Sequence, residues 1–250
     1  KVIGTTPKQI RRIVRREGVT LGLTSRDRDL VVDGLICRAA PGMRPSAIER
    51  SDGLEPDTMD VAGALVSGAI GETDLLAGRW NGAAVRVFAV DWSDPEAVPV
   101  SLGEGTIGAV ETKDGGFTAE LAGPTAALAG PVVEETSAEC RAELGDRRCR
   151  VTMRGRRRLA RVVTSDGPVV TLDQGEPVGD AYGWGVLRWL AGPNCGLDSA
   201  IAVSAGDTLT LRSAPPFPVA PGTLVRIEEG CDKTLATCSA RFANALNFRG

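Results

Sequence analysis

The sequence predicts a mainly β protein made of two small barrel-like or sandwich-like domains with few short helices. Turn-forming dipeptides recur between short runs of β-prone residues, and Gly and Pro are frequent, with 31 and 15 among 250 residues. Aromatic residues make up only 4% of the chain, so the core must be built mainly from Val, Leu, Ile and Ala. Several short strands separated by such turns are typical of barrels and sandwiches.

Four dipeptides carry the hairpin signal, because glycine tolerates the positive φ angle that tight β-turns need. Three of them separate two β-prone runs, and the fourth precedes the alternating Val85, Val87 and Ala89. The four are Asp33-Gly34, Asn81-Gly82, Asp114-Gly115 and Asp166-Gly167. Short helices are predicted at 73–76, 124–128 and 238–246.

A domain boundary is predicted near Gly130 and Pro131, where one series of hairpins ends and a stretch rich in Cys and Arg begins. A second series of hairpins follows from Arg161. We therefore predict an N-terminal β domain at 1–130, a connector at 131–160, and a C-terminal β domain at 161–250 that ends in a short Cys-bearing helix.

Histidine is absent from the chain, which excludes whole classes of enzyme. The chain cannot supply a Ser-His-Asp or Cys-His nucleophile pair, nor the His ligands of most catalytic zinc sites. No paired-carboxylate motif replaces them, so we expect no enzymatic activity. The net charge of −3 gives no general attraction to nucleic acid, and no window approaches the roughly 18 apolar residues of a membrane span, so no membrane anchor is expected.

Six cysteines are the main candidates for a site, and four of them form two local pairs. Cys140 and Cys149 have eight residues between them, and Cys231 and Cys238 have six. Disulfides, a structural Cys₄ zinc site and an iron–sulfur cluster all remain open on spacing alone. The other two cysteines are not predicted to belong to such a site. Cys37 continues a strand pattern and is expected to be a small buried hydrophobe, and Cys195 is expected to be a loop thiol.

The segment 141–161 is strongly basic, with nine Arg against two acids. Guanidinium groups would stabilise the negative charge of four thiolates around a metal centre. Such a run also fits a solvated basic face, or a face that contacts acidic protein or nucleic acid. No aromatic residue interrupts it, which disfavours a module that stacks on bases.

Two cysteine segments, 140–149 and 231–250, closely resemble those of a family of phage tail-tip hub proteins. This family includes the hub proteins of gene transfer agent tails and, more remotely, the tail-tip protein L of lambda-like phages. Shorter matches occur in the same order along the rest of the chain, at 24–30, 60–65, 73–79, 90–92, 105–108 and 216–218.

The resemblance implies a structural hub of a tail tip or baseplate, with the N-terminal domain as its hub domain. It implies a [4Fe–4S] cluster whose ligands are Cys140, Cys149, Cys231 and Cys238. It also implies a ring of three copies, located between the distal tail ring and cell-facing tip proteins that include a fibre-bearing protein and a wall peptidase. DNA would pass through the ring without specific binding, and the particle would be assembled in the host cytoplasm.

Three alternatives stay open at this point: zinc in place of the cluster, an iron–sulfur redox protein, and a zinc-stapled nucleic-acid-binding module. In every hypothesis that includes a bound metal, the first cysteine pair lies in the connector and the second lies near residue 250. A shared metal centre would therefore join both edges of the C-terminal domain and restrict the unfolded chain, as a long-range disulfide does.

Overall fold

A computed structural model describes residues 8–16, 18–39, 44–45, 58–64, 70–94, 97–113, 116–123 and 136–250. The chain divides into two compact units, Lys1–Val132 and Val133–Gly250. Both units are built mainly from strands, and this confirms the predicted fold class. The division into three segments stays a prediction. In the described part of the second unit, the first strand begins at Arg157.

In the described part of the first unit, nine strands form one sheet in the order β3-β4-β2-β1-β7-β8-β9-β6-β5. Neighbours are antiparallel except β2 and β4, which run parallel. The strands are β1 (Lys8–Val14), β2 (Thr20–Thr24), β3 (Leu30–Val32), β4 (Leu35–Ala39), β5 (Arg44–Pro45), β6 (Thr58–Ala64), β7 (Ala84–Val90), β8 (Val100–Lys113) and β9 (Gly116–Ala122).

The core of the first unit forms where β1 and β7 pair along their whole lengths. Ile13 lies opposite Val85 in this pairing, and both are buried together with Val87 and Trp80. Helix α1 (Glu72–Leu76) adds the buried Leu75 to the same cluster. The helix lies where the sequence predicts one, but it starts one residue earlier, and no side chain caps it.

Two of the predicted hairpins are confirmed on described residues, whereas Asn81-Gly82 does not join two strands. Asp33 and Gly34 have φ angles of 50° and 74° and join β3 to β4. Gly167, with a φ of 53°, joins β10 to β11. Gly82 has a φ of 69°, but it lies in the turn between α1 and β7, two residues before β7 begins. The dipeptide Asp114-Gly115 and the helix predicted at 124–128 lie outside the described residues, although β8 and β9, which flank the dipeptide, pair antiparallel.

The second unit contains a closed barrel of six strands, in the order β10-β11-β14-β13-β12-β15. Every neighbouring pair is antiparallel, and β15 pairs with β10 to close the ring. The strands are β10 (Arg157–Asp166), β11 (Val169–Leu172), β12 (Val186–Trp189), β13 (Asp198–Ala205), β14 (Thr208–Leu211) and β15 (Leu224–Glu228).

The barrel interior is filled by apolar side chains at alternate positions of its strands. Leu187 and Trp189 of β12 face inward with Val225 and Ile227 of β15, and all four are fully buried. The indole Nε1 of Trp189 donates a hydrogen bond of 2.9 Å to the hydroxyl of Ser199, so the buried ring keeps a polar partner. This alternation of period two is what a half-buried strand requires.

Two short helical elements follow the barrel, α2 (Leu235–Ala240) and a 3₁₀ turn (Ala245–Asn247). The sequence predicts a single helix over 238–246, so the helix begins earlier than predicted and is interrupted. Thr234 causes the earlier start, because its hydroxyl caps α2 by accepting a hydrogen bond from the Thr237 amide. Ala243 causes the interruption, because its φ of 48° cannot continue a right-handed helix.

Gly230 allows two backbone segments to cross at the end of β15. A Cβ atom at this position would overlap the carbonyl oxygen of Gly183 and the backbone nitrogen of Gly185. The Gly230 amide donates to the carbonyl of Ala181 at 3.2 Å, which ties the same two segments together. The direction in which the chain leaves the barrel toward Cys231 therefore depends on the absence of a side chain.

We predict that Gly230→Ala destabilises the second unit by about 3 kcal/mol, because the neighbouring atoms are backbone and cannot move aside cheaply. Gly179→Ala is the matched control, since a Cβ there meets no atom within 4 Å. Urea denaturation of both variants measures the difference. Equal midpoints for the two variants would contradict the crossing described here.

Candidate functional site

The cysteines of the two pairs lie at one end of the second unit. Cys140 and Cys149 belong to the irregular segment before β10, Cys231 follows β15, and Cys238 lies on α2. Cys149 and Cys238 are buried, whereas Cys140 and Cys231 are half-buried, and all four are free thiols. The other two cysteines take no part: Cys37 is buried on β4 of the first unit, and Cys195 is exposed in a turn of the second, as the sequence predicts.

Electrostatic coupling shows that these four thiols share one neighbourhood. Burial raises the pKa of the Cys238 thiol, and Cys231, Cys140 and Cys149 each raise it further. Burial likewise raises the pKa of the Cys231 thiol, while the backbone N–H of Lys233 and the ammonium of Lys233 oppose that change. A thiol with a raised pKa is held neutral, so a bound cation would have to displace its proton.

Two of the four sulfur atoms accept hydrogen bonds from nitrogen donors. The Arg249 backbone N–H donates to Cys140 Sγ at 3.4 Å. The side-chain amide of Asn244 donates to Cys149 Sγ at 3.7 Å. Donors aimed at sulfur favour negative charge on it, because the N–H dipole stabilises a thiolate more than a thiol.

The loop that carries Cys149 is folded around the carboxylate of Asp146. Its Oδ1 accepts from the backbone N–H groups of Cys149 at 2.6 Å and Arg148 at 2.8 Å, and its Oδ2 accepts from Glu143 at 3.0 Å. These bonds, with the Cys149 amide first, hold the pKa of Asp146 below its usual range. The carboxylate is therefore ionised at neutral pH and fixes the direction of the Cys149 backbone.

The loop between Cys231 and Cys238 is folded in the same way around Asp232. Its carboxylate accepts from the Thr234 amide and hydroxyl, each at 2.9 Å, and from the Thr237 hydroxyl at 2.7 Å. Burial opposes ionisation of Asp232, but these hydrogen bonds outweigh it and its pKa is lowered. Each cysteine pair thus has its own carboxylate that organises the connecting loop.

Lys233 links the two loops to each other. Its carbonyl accepts from the Cys140 backbone N–H at 2.8 Å. Its ammonium group donates to the Ala142 carbonyl at 2.6 Å and forms an ion pair of 3.1 Å with Glu143. The first cysteine segment therefore contacts the second through backbone and side chain together.

A buried carboxylate, that of Glu229, joins the segments that surround the cysteines. Its Oε2 lies 2.6 Å from Arg156 Nη1 and 2.8 Å from Arg241 Nη2, and its side chain is 6% exposed. Arg241 also donates to the carbonyls of Ala181 and Gly230, at 2.6 and 3.1 Å. Arg156 precedes β10, Glu229 follows β15 and Arg241 follows α2, so one network holds all three segments.

The ring of Phe242 completes this network. The guanidinium carbons of Arg156 and Arg241 lie 5.0 and 4.9 Å from its centroid. Cation–π contacts of this kind are strengthened when the cation is withdrawn from water. Nothing in the sequence marks Glu229 or Phe242 as a site residue, because a lone acid or aromatic beside a cysteine carries no spacing signal.

The basic segment 141–161 divides into paired and exposed arginines. Arg156 is bound to Glu229, and Arg157 lies 3.1 Å from the carboxylate of Glu228. The arginines at 147, 150 and 154 are exposed on the surface of the same segment. Part of the charge of this segment therefore has a structural use within the second unit.

Two features are absent from the described residues. Across the described ranges, no three His, Cys, Asp or Glu side chains converge as ligands of a single metal ion. In the same ranges, no helix has the length and apolarity needed to span a membrane. The identity of any group bound by the four cysteines stays a prediction.

Comparisons with known proteins identify the class. Residues 4–152 match the family described as baseplate hub protein, N-terminal attachment domain, and residues 180–250 match the family described as phage conserved hypothetical protein BR0599. A solved structure described as the virion of a native gene transfer agent particle contains a similar chain, with 37% identity and a TM-score of 0.86. The match covers 100% of this chain and 88% of that chain. No curated protein matches the chain.

These matches define a structural protein of phage-like particles, with a role in the tail or baseplate. The chain belongs to the baseplate hub protein family, since the first family covers more than half of its residues. The first family extends through Cys140 and Cys149, and the second contains Cys231 and Cys238. The family resemblance drawn from the sequence is confirmed.

We predict that Glu229→Gln destabilises the second unit by about 3 kcal/mol, because it leaves two arginines without their carboxylate. This value is at the lower end of the range for breaking a buried ion pair, because the side chains of Arg156 and Arg241 remain 27% and 20% exposed. Asp198→Asn is the control, because it breaks a more exposed pair with Arg188 of 3.7 Å and should cost less than about 1 kcal/mol. Thermal denaturation would contradict this account if both variants unfolded at the same temperature.

Proposed function

We propose that this protein is the structural hub of a phage-like tail tip, stabilised by a [4Fe–4S] cluster on Cys140, Cys149, Cys231 and Cys238. In this proposal three copies form a ring between the distal tail and the cell-facing tip proteins. The hub transmits contacts and cleaves nothing itself, so cleavage of the cell wall falls to a partner. The carrying observation is that four free thiols share one neighbourhood in a chain of the baseplate hub family.

The donor set supports a thiolate-bound metal centre. Four soft sulfur ligands suit Zn²⁺ or an iron–sulfur cluster, and they do not suit Mg²⁺ or Ca²⁺. In a zinc site each sulfur lies about 2.3 Å from one ion, so all four must crowd around a single point. A cluster is larger than a single ion, so its four sulfur ligands lie further apart than those of a zinc site, and four neighbouring thiols are the ligand set that it needs.

The hydrogen bonds to sulfur support the same choice. Two nitrogen donors, the Arg249 backbone N–H and the Asn244 side-chain amide, already point at the sulfurs of Cys140 and Cys149. Hydrogen bonds to the sulfurs are among the factors that set the properties of iron–sulfur clusters, and second-shell donors of this kind orient the ligands.

The role proposed for the cluster is a covalent staple. When bound, it supplies bonds that join the segment before β10, the end of β15 and helix α2. Cys149 and Cys231 are separated by the whole barrel, so a link between them closes a long loop and lowers the entropy of the unfolded chain. A hub that bears mechanical load during attachment would gain resistance to unfolding from such a link.

We predict that changing any one of the four proposed ligands to Ser removes most of the bound iron, because a site with three thiolates holds a cluster weakly. The same change should lower the unfolding temperature of the second unit, since the staple is lost. Iron, sulfide and zinc are measured in protein purified without oxygen, together with its visible absorption. Cys37→Ser and Cys195→Ser are the controls and should leave the iron content unchanged.

The outcomes separate the three chemistries. A preparation that contains zinc but no sulfide and no visible absorption would indicate a mononuclear zinc site instead of a cluster. A preparation that contains no metal, and whose thiols pair on oxidation, would indicate disulfides. Either result would end the cluster proposal and leave the family assignment in place.

The ring predicts a self-association that can be observed directly. Purified protein, or the particle itself, should contain three copies around a channel, with interfaces of at least about 1,000 Å². Electron microscopy of particles and mass measurement in solution test this prediction. A single copy in the intact particle, or a location away from the tail tip, would contradict the hub assignment.

A further inference from the structure

The turn after α2 carries a side-chain amide that bridges both cysteine segments. Asn244 Nδ2 lies 2.6 Å from the carbonyl oxygen of Cys149 and 3.7 Å from its Sγ. The backbone N–H of the same residue donates to the carbonyl of Cys238 at 3.0 Å. One residue therefore contacts a cysteine of the first pair and a cysteine of the second.

The orientation of this amide is fixed by its neighbour. Asn247 Nδ2 donates to Asn244 Oδ1 at 2.7 Å. Because the oxygen end accepts this hydrogen bond, the nitrogen end must face Cys149. Asn247 lies on the 3₁₀ turn, so the fold of residues 245–247 determines which end of the amide reaches the sulfur.

We infer that Asn244 sets the reduction potential of the cluster and holds Cys149 in the position to bind it. This inference rests on the proposed function, because it requires the cluster. A reduced cluster carries one more negative charge than an oxidised one, and an N–H donor to a ligand sulfur stabilises that charge. The bond from Asn244 therefore favours the reduced state and raises the potential.

Asn244 differs from the other donor to a cysteine sulfur in a way that makes it adjustable. Arg249 donates to Cys140 through its backbone N–H group, which nearly every residue type supplies. The bond to Cys149 comes from a side chain, so a single substitution removes it. Its strength can vary between relatives without any change in the path of the chain.

The experiment compares full-length wild-type protein with Asn244→Leu, which has nearly the same size and no charge. Both are prepared without oxygen, and the cluster is titrated with a chemical reductant while absorption and electron paramagnetic resonance are recorded. In Asn244→Leu, we expect the ratio of reduced to oxidised cluster at a given solution potential to fall about tenfold. For a one-electron couple this is a shift of the reduction potential by about 59 mV to more negative values. Leu246→Ala is the control, because Leu246 belongs to the same turn and is fully exposed. The reduction potential of the cluster in this variant should equal that of the wild-type protein.

Asn247→Ala is the second variant and decides the question if Asn244→Leu does not retain iron. This variant keeps the Asn244 amide but removes the hydrogen bond that fixes its orientation. The reduction potential should therefore shift in the same direction by a smaller amount. Loaded variants with the wild-type potential would overturn this inference alone. Wild-type protein without iron and sulfide would instead overturn the proposed cluster, and the inference with it.

Discussion

The second unit depends on one buried carboxylate and the two guanidinium groups that neutralise it. Glu229 is 6% exposed, and a carboxylate so withdrawn from water is tolerated only when it is paired and hydrogen-bonded. Its partners, Arg156 and Arg241, come from segments far apart in the sequence, and each must reach it. This requirement fixes the segment before β10 and helix α2 against the end of β15, and so it fixes the places from which the cysteines project.

Within that frame, each cysteine loop is organised by its own acid. Asp146 and Asp232 bind backbone amides and hydroxyls of the residues around them, and both carboxylates have lowered pKa values. The loops are therefore shaped by the protein's own hydrogen bonds. A site arranged in advance loses less entropy when it binds a metal centre, which favours tight binding.

The closed barrel explains why the site can sit at its end. Closure satisfies the backbone hydrogen bonds of all six strands, so no strand edge is left to pair with another chain. The rim is then free to carry irregular backbone, and Gly230 lets two segments cross there with no side chain between them. In the described part of the first unit the sheet is open, with β3 and β5 at its ends.

Local signals in the sequence determined the class of fold, the hairpins at Asp33-Gly34 and Asp166-Gly167, and the family, because strand alternation, turn chemistry and motif order are properties of neighbouring residues. The separate roles of Cys37 and Cys195 also followed from their local surroundings. Only the tertiary structure decided that Glu229 binds Arg156 and Arg241, that Thr234 starts α2 before Cys238, and that Asn244 reaches Cys149. These contacts join residues up to 95 positions apart, as between Cys149 and Asn244, and such pairing depends on how the barrel closes and where the chain leaves it.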